Sequence, residues 1–240
     1  MTPLKITFQV SGGFVPPPYP LHLDALLAYA QTFDALGDVA DEPGIPQLRA
    51  LADDMPIQRF EKDGDWCYMA SAVQPEGPVL NDARFYTQRM NQDDYSARVG
   101  REHIQHGRHK PGSPMERYQI QLETARGVHR NLLGFYPVQQ SATSSGALLT
   151  LVGWCIAEKW WVEDRLLNGR ITHIGARRRS GHGKIQSIAI EEDNLAMSQW
   201  RLRVRPWKLL DDDLEIRAAW KPPYWAPENR GTAFCSSQLI

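Results

Sequence analysis

The sequence predicts an α+β fold, in which strands and two helices alternate along a chain of 240 residues. Three patterns lead to this prediction. The chain begins with apolar residues at every second position from Leu4 to Val10, which is the period of a half-buried strand. An amphipathic helix pattern follows it. A nearly continuous apolar segment, residues 148–156, has the composition of a strand buried on both faces.

The first half of the chain predicts one helix and a hairpin. Apolar residues recur at helical spacing between residues 22 and 37 and end at Gly37. They are Leu23, Leu26, Leu27, Ala30 and Phe33. An acidic, proline-containing loop comes next. The turn signal Lys-Asp-Gly-Asp at residues 62–65 then predicts a hairpin before a strand over residues 66–73.

The polar stretch at about residues 81–114 is predicted to be a basic, partly helical insertion. We expect a helix over residues 85–99, followed by an exposed loop that ends in Pro111-Gly112. A strand resumes where Tyr118, Ile120 and Leu122 alternate with polar residues.

The second half predicts a helix over residues 158–167 that breaks at Asn168-Gly169, then a short helical piece over residues 170–174. A glycine-rich loop and a strand over residues 185–190 follow. The order strand, helix, strand, strand, strand, helix, loop, strand is compatible with a ferredoxin-like (RRM-like) βαββαβ core that carries an insertion.

The net charge of −1 hides an uneven distribution. Residues 34–65 contain nine acids and three bases, whereas residues 165–184 contain six bases and no acid. Because salt screens charges beyond about 8–10 Å, a polyanion responds to the local patch. The net charge therefore does not exclude a nucleic-acid partner.

The cysteines predict neither disulfides nor a metal site. Cys67, Cys155 and Cys235 are far apart and form no C-x-x-C pair, as expected in a reducing cytoplasm. We also expect no signal peptide, because Met1 leads directly into a strand-like segment without a basic n-region and an apolar h-region. We expect no membrane contact, because the longest apolar stretch, residues 146–157, is shorter than the roughly 20 residues that span a bilayer. No cofactor is expected either.

The candidate binding site is the glycine-rich loop. Its glycines would let backbone N–H groups approach phosphates while basic side chains supply charge. The site residues are Gly175, Arg177, Arg178, Arg179, Ser180, Gly181, His182, Gly183 and Lys184. The loop is no Walker A motif, because Ile185 follows Lys184, and no Rossmann fingerprint, because Gln186 stands at the third glycine position. A plain surface turn is the alternative interpretation.

A helix, a Gly/Arg-rich loop and a strand in this order resemble the signature of the RAMP superfamily of CRISPR systems. Three further segments are similar to the handle-binding subunit of type IV CRISPR complexes and leave residues 37–115 unmatched. They are Leu4-Lys-Ile-Thr-Phe, the segment from Tyr19 to Tyr29 and the segment from Lys221 to Arg230. The resemblance implies a single RAMP-like domain over residues 1–240, with the insertion and a C-terminal aromatic tail at about residues 218–240.

The resemblance also implies a function and partners. Such a subunit grips the repeat-derived 5′ handle of the guide RNA (crRNA), caps one end of the complex and contacts the backbone and large subunits. Two further basic groups are candidates: the first could line the same RNA-binding groove, and the second lies in an exposed loop that could touch RNA or a partner. They are Arg126, His129 and Arg130 before the buried strand, and Arg101, Arg108 and Lys110 in the insertion.

Three other patterns leave alternatives open. Arg201, Arg203 and Arg205 alternate with apolar residues, so one strand face could track a phosphate backbone, meet an acidic neighbour or be the solvated outer face of a sheet. The eight tryptophans could stack on bases or belong to the core or an interface. The histidines at positions 103, 106 and 109 make a poor metal site, because the surrounding glycines and Pro111 favour a loop.

The same superfamily contains ribonucleases that process CRISPR repeat RNA, so an enzyme is the concrete alternative. Cleavage needs a general base and a group that stabilises charge on phosphate. The candidates are His22, His129, His173 and His182, and the sequence brings none of them together. We therefore expect a non-catalytic RNA-binding subunit. A structural adaptor without RNA would leave the loop's charge unexplained.

Overall fold

The fold is taken from a computed structural model, which describes residues 1–37, 46–90, 119–123, 128–143 and 146–239. Within these ranges the side chains of residues 46, 85–90, 119–123 and 128–135 are not described. The chain divides into two compact units, one of residues 1–80 and 139–240 and one of residues 81–138.

The elements are numbered in chain order. The strands are β1 Thr2–Ser11, β2 Arg59–Lys62, β3 Asp65–Tyr68, β4 Gln74–Pro75, β5 Val79–Met90, β6 Gln119–Glu123, β7 Val128–Ser141, β8 Leu149–Ala157, β9 Lys184–Glu192, β10 Asp213–Ala219 and β11 Arg230–Ser236. The helices are α1 Leu23–Leu36, α2 Pro46–Asp53, α3 Lys159–Leu167 and α4 Ala196–Gln199. Short 3₁₀ turns span Arg178–Ser180, Pro227–Asn229 and Ser237–Leu239.

The first unit is built on a four-stranded sheet in the order β4-β8-β1-β9, and every neighbouring pair is antiparallel. Leu4 of β1 lies opposite Cys155 of β8 on one side and Glu192 of β9 on the other. With helices between these strands, the fold is α+β, as the sequence predicts.

One face of this sheet is covered by α1 and α3. Leu4, Ile6, Phe8 and Val10 of β1 are all buried, which confirms the period-two prediction. They join α1 residues such as Leu27 and α3 residues such as Trp161 and Leu166 in one apolar cluster. Burying each large apolar side chain contributes about 1.5–3 kcal/mol.

The other face of β8 is also covered, which explains its continuous apolar sequence. Val152 and Trp154 pack against Ala196 of α4, and Ile156 belongs to a second cluster with Trp200, Val204 and Trp207.

The C-terminal region supplies much of this second cluster. β10 and β11 pair antiparallel, and their Ala218, Ala233 and Cys235 are buried in it together with Trp220. Trp220 is only 8% exposed, whereas Trp225 is 44% exposed beneath the guanidinium of Arg49, 6.0 Å from its ring centre.

The second unit contains most of a three-stranded sheet in the order β5-β7-β6. The predicted helix over residues 85–99 is wrong where it can be checked, because β5 continues as a strand to Met90. Phe85, Tyr86 and Thr87 belong to residue types that favour strands. Residues 91–99 of that prediction lie outside the described residues.

Candidate nucleic-acid interface

The glycine-rich loop, residues 171–184, joins α3 to β9, and backbone hydrogen bonds join its two ends. The Ile174 N–H donates to the Gly183 carbonyl at 2.9 Å, and the Ile185 N–H donates to the Thr172 carbonyl at 2.9 Å. Ile171 and Ile174 at its base are buried in the main core. This extended pairing replaces the predicted short helix over residues 170–174, which is wrong.

The loop is also attached to the segment that follows β1. The Gly183 N–H donates to the Gly13 carbonyl at 2.8 Å, and the Ala176 N–H donates to the Val15 carbonyl at 2.8 Å. The buried His182 ring places its Nδ1 2.6 Å from the Gly12 carbonyl oxygen. These contacts hold the loop against the end of β1.

Two glycines are required by this packing. Gly183 has φ +64°, and a Cβ there would lie 1.9 Å from the Ile174 carbonyl oxygen. Gly175 has φ +87°, and a Cβ there would lie 2.5 Å from the Phe14 ring. The N–H groups of Gly181 and Gly183 both donate to protein carbonyls, to Arg178 and Gly13 respectively. Because these two N–H groups are already bonded within the protein, the loop's side chains are left to contact an anion.

The arginines stand at the tip of the loop, and Lys184 lies at its end as the first residue of β9. Arg177 has a left-handed backbone (φ 58°) and leads into the 3₁₀ turn Arg178–Ser180. Arg178, Arg179 and Lys184 are exposed, and none of them has a carboxylate partner within the described ranges. Ser180 and Gly181 are exposed beside them.

Part of the segment's charge is neutralised by the fold. Arg165 Nη1 lies 2.5 Å and Arg170 Nε 2.9 Å from the carboxylate oxygens of Asp34 in α1. The local excess of bases therefore belongs to the loop tip rather than to the whole stretch from residue 165.

The other predicted site residues fall elsewhere. Arg101, Arg108, Lys110 and Arg126 lie outside the described residues. His129 and Arg130 belong to β7, where they pair with Leu122 and Gln121 of β6 in the second unit, and their side chains are not described. The glycine-rich loop is thus the part of the predicted site whose geometry is defined.

The predicted strand at residues 200–205 is wrong, whereas the acidic neighbours considered for its arginines are found at Arg203 and Arg205. The segment consists of turns and bends with one isolated bridge, and Arg203 and Arg205 are fully buried. Arg205 pairs with Asp213, which also accepts hydrogen bonds from the Leu209 and Leu210 N–H groups at 2.8 and 2.7 Å.

Arg203 is the centre of a buried polar network. Its Nη2 lies 3.0 Å from Asp24 Oδ2 of α1 and donates to the Trp220 carbonyl at 2.7 Å. Its Nη1 donates to the Tyr68 carbonyl and, at 2.8 Å, to the Ala70 carbonyl. Although burial alone would lower the pKa of Arg203, the Asp24 carboxylate raises it, so the guanidinium stays charged.

His22 and Tyr224 complete this network. His22 Nε2 accepts the Val204 N–H at 3.0 Å, and its ring stacks on Tyr224 with 4.9 Å between ring centres. Burial and the Arg203 charge hold the pKa of His22 well below its usual value, so the ring is a neutral acceptor at neutral pH. His22 precedes α1 without capping it, and packing is its role.

Neither a metal site nor a membrane-spanning element is found in the described ranges. No group of three His, Cys, Asp or Glu side chains there is arranged to hold a metal ion. No helix there combines the length and the hydropathy needed to cross a bilayer.

Comparison with known proteins identifies the family. No curated protein sequence matches the chain. The model of one family, described as CRISPR type IV associated protein Csf3, matches residues 2–236. This confirms the resemblance to type IV CRISPR proteins and is consistent with a RAMP-like identity. Because the match extends over nearly the whole chain, this protein belongs to the family of the CRISPR type IV associated protein Csf3.

Proposed function

We propose that this chain is a non-catalytic RNA-binding subunit of a type IV CRISPR ribonucleoprotein, which grips the repeat-derived 5′ handle of the guide RNA and caps the complex. The observation that carries the proposal is a group of exposed cations, Arg178 and Arg179 at the loop tip and Lys184 at the start of β9, which have no carboxylate partner in the described ranges. Because the chain belongs to a type IV CRISPR family, guide RNA is the polyanion that we expect these cations to bind.

The rigidity of the loop supports a phosphate-binding role. Its base is held by backbone hydrogen bonds to Gly13 and Val15, so the backbone that carries the arginines is attached to the segment after β1. A preorganised cation loses less conformational freedom when it binds a phosphate than a cation on a mobile segment does. Arginine also offers a planar fork of N–H donors that matches phosphate oxygens.

The proposal includes a ferredoxin-like core. The strands β1, β4, β8 and β9, with α1 after β1 and α3 after β8, would form the βαββαβ unit. Two observations support it: the sheet order β4-β8-β1-β9 and the antiparallel pairing of all neighbours. The β2–β3 hairpin and the second unit would then be additions to that core.

The test is the salt dependence of RNA affinity. Replacing both arginines, Arg178→Ala with Arg179→Ala, should weaken binding of the RNA that copurifies with the protein. Each lost contact with a single-strand phosphate should reduce the slope of log affinity against log salt by roughly 0.7. The measurement is a titration at several salt concentrations.

The matched control removes the same charge elsewhere. Arg201 and Arg217 are exposed arginines outside the loop, so Arg201→Ala with Arg217→Ala should leave the slope close to that of the unaltered protein. If the two double variants had equal slopes of log affinity against log salt, the loop arginines would not be contacts of RNA phosphates.

A further inference from the structure

A small pocket in the first unit is lined by the proline-rich turn before α1, by the start of α1 and by the C-terminal strands β10 and β11. Its volume is about 180 Å³. Because an apolar cavity of about 150 Å³ accommodates one benzene ring, this pocket has room for a single large side chain. The apolar part of its wall includes Pro17, Leu21, Ala25, Val204 and Ala219.

The two polar rings in the wall are engaged inside the fold. The Tyr224 hydroxyl donates to Asp24 Oδ1 at 2.8 Å, and His22 Nε2 accepts the Val204 N–H at 3.0 Å. A nucleobase in this pocket would bury polar edge groups against an apolar wall, and each unpaired group costs about 1–3 kcal/mol. An apolar side chain has no such groups to satisfy, so it is the better occupant.

One cation stands beside this apolar wall. Arg230, the first residue of β11, is exposed and has no carboxylate partner among the described residues. No Asp, Glu or Lys is among the residues that line the pocket. A carboxylate that approached the pocket would therefore meet a single positive charge that no neighbour in the wall neutralises. The pocket and Arg230 together suit an apolar residue that lies next to an acidic one.

A different protein fits this site better than a second copy of the chain. A two-fold contact between copies places the same patch against itself. Such a contact centred on the pocket would set pocket against pocket and bring Arg230 towards its own copy. Protein interfaces instead commonly seat one large side chain of one partner in a pocket of the other.

We propose that this pocket receives one large apolar side chain of another protein subunit of the type IV complex, and that Arg230 pairs with an Asp or Glu beside that side chain. The inference rests on the part of the proposed function that makes this chain a subunit of a larger complex. It goes further by locating a docking site and stating the chemistry of the segment that enters it. It does not involve the arginines of the glycine-rich loop.

The experiment uses the complex isolated through a tag on the full-length chain. Tyr19 lines the pocket and is 54% exposed, so p-benzoylphenylalanine at this position places a photoreactive ring at the pocket. After illumination, mass spectrometry should find a crosslink to one other protein subunit, in a segment where a large apolar residue adjoins Asp or Glu. Crosslinks only to RNA, to a second copy of this chain or within the chain itself would overturn the proposal.

Two variants test the pocket and the charge separately. Ala25→Leu fills the pocket, and Arg230→Glu places a negative charge where the partner's acid should lie. Each should reduce the amount of the crosslinked subunit that stays in the complex, and the charge reversal should do so by about 10-fold or more. Because Arg230 is exposed, its variant remains informative even where Ala25→Leu folds poorly.

Matched controls make the same changes outside the pocket. Ala35 in α1 and Arg217 in β10 are exposed and do not line it, so Ala35→Leu and Arg217→Glu should retain the subunit. Replacing the acid of the crosslinked segment by Lys should restore the subunit to the Arg230→Glu complex. Failure of this rescue would overturn the pairing with Arg230, and full retention of the subunit by both pocket variants would overturn the docking site.

The outcomes also separate this inference from the proposed function. Pocket variants that keep every subunit, in a complex whose RNA affinity still depends on the loop arginines, would leave the RNA-binding role standing without the docking site. A chain that loses its partner in the pocket variants but binds no RNA would leave the docking site without the RNA-binding role. A chain that copurifies with neither RNA nor any other subunit would refute the proposed function itself.

Discussion

Gly181 and Gly183 have similar left-handed backbones, with φ +83° and +64°, but different surroundings. A Cβ on Gly181 would meet nothing within 4 Å, whereas one on Gly183 would meet the Ile174 carbonyl oxygen. Gly181→Ala should therefore lose only the roughly 1–2 kcal/mol of an unfavourable backbone conformation. Gly183→Ala should lose clearly more, because the loop closure must also open.

Chemical denaturation of the two variants measures this difference directly. Gly181→Ala is the matched control, because it adds the same methyl group two residues away in the same loop. Equal free energies of unfolding for both variants would mean that the approach of Gly183 to Ile174 is not tight.

Single residues are also where sequence patterns mislead. Alternation at residues 200–205 predicts a strand and leaves open what its arginines meet, but the segment is not a strand and Arg203 pairs with Asp24, 179 positions earlier in the chain. A local pattern contains no information about a partner so distant. The loop itself was predictable, because clustered glycines and arginines are a local signal. The use of its glycines in packing was not, since that depends on Gly13 and Ile174.

At the scale of elements, the Arg203 network joins parts of the fold that the sheet does not connect. Its hydrogen bonds reach α1 through Asp24, β3 through the Tyr68 carbonyl and the C-terminal region through Trp220. Arg203→Met should leave the Asp24 charge buried and unpaired, which costs about 3–5 kcal/mol of unfolding free energy. Adding Asp24→Asn to that variant should restore part of the loss.

An exposed ion pair in the same chain gives the comparison. Arg49 and Glu228 lie 2.6 Å apart with side chains about half exposed, so Arg49→Met should cost less than about 1 kcal/mol. If Arg203→Met and Arg49→Met had the same midpoint in urea, the buried network would contribute little to stability.

Elements with strong local periodicity were the predictable ones. α1 begins and ends within one residue of the predicted range, and β1, β8 and β9 lie where apolar alternation or continuity placed them. Residues 85–90 of β5 are predicted to be helical but form a strand. The charged and polar residues of this segment obscure its apolar period, although its aromatic and Thr residues favour extended backbone.

At the scale of the whole molecule, two large apolar clusters contribute much of the stability of the described first unit. The first joins the main sheet to α1 and α3, and the second joins β8 to the C-terminal strands. The burial of Trp220 places the start of the predicted aromatic tail in this second core, while the exposed Trp225 remains a surface residue.

The last prediction concerns catalysis. Incubated with 5′-labelled CRISPR repeat RNA, with and without divalent metal, the purified chain should give no site-specific cleavage. A ribonuclease needs an accessible base beside the 2′-hydroxyl. His22 is buried and its Nε2 accepts the Val204 N–H, and His182 is buried with Nδ1 at the Gly12 carbonyl. Gel electrophoresis of the RNA is the measurement, and His22→Ala, His129→Ala and His182→Ala are the diagnostic variants. Cleavage at one position that disappears in any of these variants, or in His173→Ala at the partly exposed fourth candidate, would establish the ribonuclease alternative. Cleavage that persists in all four variants would indicate a contaminating nuclease.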